Sequence, residues 1–240
     1  MHVMAKPFLL GILGGMGPMA TVDLMQKIIL ATPAQRDQQH LPMVIWNVPQ
    51  VPDRQYALAG TGPSPLAALH HGIRQLNQAG ATHIVIACNT AHAWYDALAT
   101  DSQATLLHIA DITTDALLSQ APRPRAVGLI ATRGTLDAGW FQSRLTAAGI
   151  TPVLPEGEET ERWFVPGCYA VKRGDIALGG ELLAQQARAL QKRGAERLIL
   201  ACTEVPLALE TRYDALMAIS LDPARALAQT CVKYWQESQL

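Results

Sequence analysis

The chain has 240 residues, 49% hydrophobic and 16% charged, with a formal net charge of -1. That composition fills a sizeable core, in one large domain or two of ordinary size. A charge this close to zero leaves no basic footprint for nucleic acid, and no run of about 18 apolar residues is present to cross a membrane. Met1–Lys6 lacks the basic start, apolar stretch and small-residue cleavage site of a secretory signal, so the expected location is the cytoplasm.

Short apolar runs alternate with helical patterns, which predicts an α/β fold with largely parallel sheets. In chain order the predicted elements begin with a strand over Phe8–Leu13, a helix over Thr21–Leu30 and a strand over Met43–Asn47. A helix over Ser64–Gln78 and strands over His83–Ala87 and Ala126–Ala131 follow. Helices over Leu136–Ala148 and Leu178–Lys192, a strand over Arg197–Ala201 and a helix over Asp222–Trp235 complete the set. Ser64-Pro65 is a helix start, with a capping hydroxyl and a proline where no amide is needed. Gly80 and Gly194 close their helices.

The order of elements contains a repeat. Gly80-Ala-Thr-His-Ile-Val-Ile-Ala-Cys88 aligns with Gly194-Ala-Glu-Arg-Leu-Ile-Leu-Ala-Cys202, 114 residues on. Leu10-Gly-Ile-Leu13 aligns with Val127-Gly-Leu-Ile130 at an offset of 117. Two matches at nearly one offset predict two similar, pseudo-symmetric Rossmann-like halves, residues 1–120 and 121–240. The boundary falls in the Pro-rich stretch Ala121–Arg125, and the C-terminal helix is free to pack back on the first half.

The cysteines Cys88, Cys168, Cys202 and Cys231 are widely spaced, with no CxxC pair. This disfavours a disulfide scaffold, a zinc site and a thioredoxin-like motif. The scattered histidines form no metal cluster, so no metal site is expected. Cys231, on a predicted helix, reads as core; Cys168, in a Pro-Gly-flanked turn, reads as partly exposed.

Cys88 and Cys202 each end an apolar strand and precede polar residues. Ligands of open α/β sheets sit outside the carboxyl ends of strands, which puts each thiol at the mouth of a site. A following helix start would lower its pKa from ~8.5. Cysteine at a strand end is ordinarily a small buried residue; the duplicated context sets this pair apart. Two thiols facing one crevice suit inversion of a stereocentre, one removing a proton from one face of an α-carbon while the other delivers one to the opposite face. Asn89, Thr90 and Thr203, beside the thiols, are candidate donors to the α-carboxylate.

The loop Gly11-Ile-Leu-Gly14-Gly15-Met16-Gly17-Pro18 lacks the dinucleotide register and its acidic partner. It reads instead as backbone brought close to a small substrate, with Met16 at the site. In the equivalent loop of the second half, Thr132 and Thr135 offer hydroxyls to the crevice, or form a turn and cap.

With these motifs in place, the whole chain resembles the aspartate racemases of the aspartate/glutamate/hydantoin racemase superfamily. The resemblance runs through Gly11–Pro18, Thr32–Ala34, Arg36–Gln38, Asn47–Arg54, Cys88-Asn-Thr-Ala-His92, Ala131–Thr135, Val171–Gly174 and Cys202-Thr-Glu204. It implies two pseudo-symmetric α/β domains around a crevice, no pyridoxal phosphate or metal, and a homodimer. It also implies acid/base roles for Cys88 and Cys202, carboxylate binding by Asn89 and Thr90, and recognition of an acidic side chain by Arg54 and Lys172. Ala91 and Glu204, inside the matching motifs, join the candidate contacts. The chain departs from the family before its last helix, where Asp222 is either the expected acidic site residue or a helix cap. Pro155–Thr160 is locally acidic, either a mobile loop near the site or a solvated turn. The leading expectation is interconversion of L- and D-aspartate, with glutamate next. The alternatives are a broader amino-acid racemase, a maleate-isomerase-like enzyme using one cysteine as nucleophile, and a non-catalytic amino-acid or dicarboxylate binder.

Overall fold

The computed structural model describes residues 6–211 and 213–239; the start of the Met1–Lys6 stretch read for a leader, up to Ala5, lies outside them. Strands covered by helices on both faces read as unbroken apolar runs, and such runs build both sheets. In the first, β1 (Leu10–Gly14), β2 (Met43–Asn47), β3 (His83–Ile86) and β4 (Thr105–Leu106) lie in the order β2-β1-β3-β4. In the second, β5 (Ala126–Leu129), β6 (Thr151–Val153), β7 (Arg197–Ile199) and β8 (Ser220–Leu221) lie in the order β6-β5-β7-β8. Every pairing is parallel. The sequence repeat is therefore a structural one. β3 and β7 hold equivalent places, and each leads through a short buried segment into its cysteine, Cys88 or Cys202. In both sheets the direction of strand addition reverses beside the first strand, and ligand crevices open at such switch points.

The helices of the first half are α1 (Pro18–Ala31), α2 (Arg54–Leu58), α3 (Leu66–Gln78), α4 (Tyr95–Asp101) and α5 (Ile109–Leu118). Those of the second are α6 (Arg133–Ala138), α7 (Trp140–Ala147), α8 (Val165–Lys172), α9 (Ile176–Lys192), α10 (Glu204–Leu209), α11 (Asp214–Met217) and α12 (Pro223–Glu237). The single helix expected over Leu136–Ala148 is split between α6 and α7, because Gly139 takes φ 72° and interrupts the helical run. The turn expected around Cys168 is helix α8. Pro166 falls in its first turn, where no amide partner is lost, and Cys168 is buried rather than exposed.

Two helices cross between the halves. Leu227, Cys231 and Val232 of α12 pack with Leu10, Ile12, Leu24 and Val85 of the first half. On α5, Ile109 and Ile112 join that cluster, whereas Ala110 and Leu117 pack with Val127, Phe141 and Leu145 of the second. Asp222 caps α12 by accepting the Ala224 amide at 2.9 Å. Its carboxylate also meets the buried Lys27 ammonium at 2.7 Å, and Lys27 reaches Asp23 at 2.6 Å. Asp222 is thus a cap and an anchor to α1, away from the crevice lining. Within the acidic stretch, Glu159 pairs with Arg193 at 2.6 Å, and none of Pro155–Thr160 lines the crevice. Among the described residues no helix is long and apolar enough to cross a membrane.

Candidate active site

The loops at the carboxyl ends of β1, β3, β5 and β7 enclose a cavity of about 590 Å³. It is lined by Met16, Arg54, Cys88, Asn89, Thr90, Thr132, Lys172, Cys202, Thr203 and Glu204, most of the set expected from the sequence. Two expected residues do not line it. Ala91 has 0% exposure and belongs to the core beneath Met16 and Cys88. Thr135 lies below the surface and bonds Thr132. The glycine loop also differs from expectation. A Cβ on Gly14 would strike Thr21, and one on Gly15 would strike the Val48 backbone, so these two serve packing. Gly17 alone of the three looks toward Glu204 and Lys172.

On the first-half side, Cys88 is 6% exposed and stands before a short turn of 3-10 helix. That turn is bolted by His92. Its Nδ1 lies 2.9 Å from the Cys88 carbonyl and 3.2 Å from that of Asn89, and its Nε2 accepts the Ile109 amide at 3.2 Å. An Nε2 that accepts places the proton on Nδ1, so a neutral imidazole satisfies all three groups. Burial, assisted by His108, pushes the His92 pKa down to about 3. Asn89 is 3% exposed, lines the cavity, and has no partner for either amide atom among the described residues. Such an amide is costly to bury unless a ligand completes it. Thr90 Oγ1 sits 2.9 Å from Thr132 Oγ1 and accepts from Gln55 Nε2 at 3.2 Å, while Gln55 Oε1 accepts the Gly134 amide at 3.1 Å. Gln55 thereby joins the two halves at the crevice wall.

On the second-half side, the Cys202 thiol donates to Glu204 Oε2 at 3.1 Å, and Lys172 Nζ donates to Glu204 Oε1 at 2.5 Å. Cys168 Sγ lies 3.9 Å from Cys202 Sγ. The Cys168 contact, burial and the Glu204 carboxylate together push the Cys202 thiol well above its ordinary pKa. This reverses the expectation of a thiol acidified by a helix start, because α10 is short and the thiol bonds a carboxylate. Burial works against the Lys172 charge, but Glu204, with Cys202 and Cys88, outweighs it and raises its pKa. Arg54 differs. Its Nη1 bonds the Val51 and Pro52 carbonyls at 3.2 and 2.9 Å, its buried Nε has no partner, and no carboxylate of the described residues pairs with it.

Sequence reasoning missed Gln55 and Cys168. Gln55 carries no motif of its own. Cys168 is one helical turn before Lys172, a spacing that puts both on one face of a helix, but Pro166 and Gly167 hid that helix. No cluster of three or more His, Cys, Asp or Glu side chains among the described residues is arranged to hold a metal.

A profile of the Asp/Glu/Hydantoin racemase family matches residues 13–231. The chain belongs to this family. Membership indicates an isomerase of the amino-acid racemase type, and the paired sheets are the two-domain racemase fold. An aspartate racemase from Picrophilus torridus superposes with a TM-score of 0.81 and 28% identity, covering 97% of this chain and 98% of that one. The broad specificity amino-acid racemase RacX of Bacillus subtilis is 26% identical over 93% of this chain and 96% of its own. A glutamate racemase of Corynebacterium glutamicum is 35% identical over 61% of this chain and 54% of its own length.

Proposed function

We propose that this chain interconverts the L and D forms of an acidic amino acid, aspartate first, by a two-base cysteine mechanism that needs no cofactor. The observation that carries the reading is the pair of buried thiols at equivalent strand ends, opening on one cavity beside the unpartnered amide of Asn89. The α-carboxylate docks on Asn89 and Thr90, where amide and hydroxyl donors stabilise charge that develops toward the carbanion. One thiol of the pair must start deprotonated. The contacts of Cys202 with Glu204 and Cys168 hold its proton, so Cys88 is the base of the resting form and Cys202 the acid. Each coupled thiol takes the other's role in the reverse reaction. Arg54 is the cation free to bind a substrate side-chain carboxylate, since Lys172 is already balanced by Glu204.

A second reading, broader substrate range, is favoured by the apolar wall of Leu58, Ala138, Phe164 and Val165 and by the similarity to RacX. Incubation in heavy water tests the main reading. Recovered aspartate should carry deuterium at the α-position, and Cys88→Ser or Cys202→Ser should lower interconversion by at least about a hundredfold. Absence of α-exchange with every acidic amino acid would end the acidic-substrate reading. Exchange confined to apolar amino acids would favour the broader one.

A further inference from the structure

The two-base reading leaves one sulfur in the crevice without a task. Cys168 on α8 lines the same cavity as Cys202, and the pair are 6% and 8% exposed. Their sulfurs are 3.9 Å apart with the Cys202 thiol directed into a small polar cluster. A disulfide requires the sulfurs to approach by roughly a further 2 Å. A solute small enough to reach the substrate position reaches both sulfurs. Glu204, which already accepts the Cys202 thiol hydrogen at 3.1 Å, stands where a departing proton goes.

We propose that Cys168 and Cys202 form a reversible redox pair, joined in a disulfide by a two-electron oxidant of the hydroperoxide class. One thiol gives up its proton, its sulfur attacks a peroxide oxygen and cleaves the O–O bond, and it becomes a sulfenic acid while the departing hydroxide takes up that proton as water. The second sulfur attacks that sulfenic sulfur, an S–S bond forms and a second water departs. In sum two thiols lose two hydrogens, and hydrogen peroxide is reduced to two waters. A small dithiol returns both cysteines to the reduced state. Contact between the sulfurs makes the second step fast, so the sulfenic acid is captured before it advances to the irreversible sulfinic acid. Oxidised Cys202 carries no proton, and the crevice is switched off rather than destroyed. That last consequence rests on the proposed racemase reading; the bond itself does not.

The test treats the reduced full chain with hydrogen peroxide at mildly alkaline pH, which favours loss of the thiol protons. Free thiols are then alkylated, and the chain is digested with trypsin without reduction. Cleavage after lysine and arginine isolates Cys168 in Trp163–Lys172 and Cys202 in Leu198–Arg212. Mass spectrometry should find these two peptides linked, two hydrogens lighter than their sum, and separated by dithiothreitol. Racemase activity should fall and return in step. In Cys168→Ser the link should vanish, and Cys202 should advance to the sulfinic acid, which dithiothreitol does not reverse. Absence of the linked pair from the oxidised wild-type chain overturns the proposal, as does a Cys88–Cys202 link in its place. A reduced chain that links normally but never racemises would leave the redox pair standing and remove the functional reading instead.

Discussion

Arg54 and Lys172 entered as a matched pair of cations, and the structure separates them. Lys172 spends its charge on Glu204 at 2.5 Å, whereas Arg54 keeps an unpartnered Nε and forms no ion pair among the described residues. A guanidinium bound to a substrate carboxylate contributes about 2–3 kcal/mol. Arg54→Ala should therefore lower kcat/KM for aspartate by roughly 30- to 150-fold and change that for alanine or serine far less. Steady-state kinetics on the three substrates checks this, and equal losses on all would remove Arg54 from side-chain recognition. At this scale the sequence was informative around the duplicated strand ends: Cys88 and Cys202, and Asn89, Thr90 and Thr203 directly after them, all reach the cavity. It was silent on Cys168, whose place beside Cys202 depends on helix α8 and on nothing near it in the chain.

At the scale of elements, the central strands were legible because each is an apolar run bounded by polar turns. The strands β4, β6 and β8 were not: β4 and β8 have two residues each, and the three of β6 include a proline. Helix α5 has apolar residues on two faces because it packs against both halves, which blurs the one-sided stripe that marks a surface helix. Helix α12 shows the cost of separating chain order from packing order. Leu227, with 1% exposure, lies late in the chain but inside the first-half core. Leu227→Ala should cost about 2–5 kcal/mol, read by urea denaturation. Hydrogen exchange should show the loss first in Leu10–Gly14 and His83–Ile86. Loss confined to Arg197–Ile199 would mean that α12 supports its own half instead.

For the molecule as a whole, acid should be the first stress to tell. Burial holds His92 at about 3 and His108 at about 4 in the folded chain, against about 6.5 when unfolded. Between these values the unfolded chain binds the extra protons, so stability rises with pH. The contribution is complete above pH ~6.5 and drains away as pH falls toward the folded values. His92 alone steepens the loss by up to about 1.4 kcal/mol per pH unit, and His108 acts in the same direction. Urea midpoints at pH 7.5, 6 and 5 should fall steadily for the wild type and less steeply for His92→Gln. Parallel slopes would show that His92 titrates normally. An amide side chain also restores part of the bolt on the Cys88 turn, so this variant separates proton uptake from loss of the bond.

The unequal surroundings of the two thiols carry a last consequence, one of equilibrium rather than of structure. Cys202 is held by Glu204 and Cys168, and Cys88 has no such pair of partners among the described bonds. The two protonation states of the empty crevice therefore differ in energy, and in the proposed two-base cycle each enantiomer is received by a different one. Mirror-image substrates have the same free energy in water, so the ratio of kcat/KM for the two directions is fixed at one whatever the protein does. The asymmetry can appear only in how kcat and KM divide that common quotient, with one enantiomer saturating at a lower concentration and turning over more slowly.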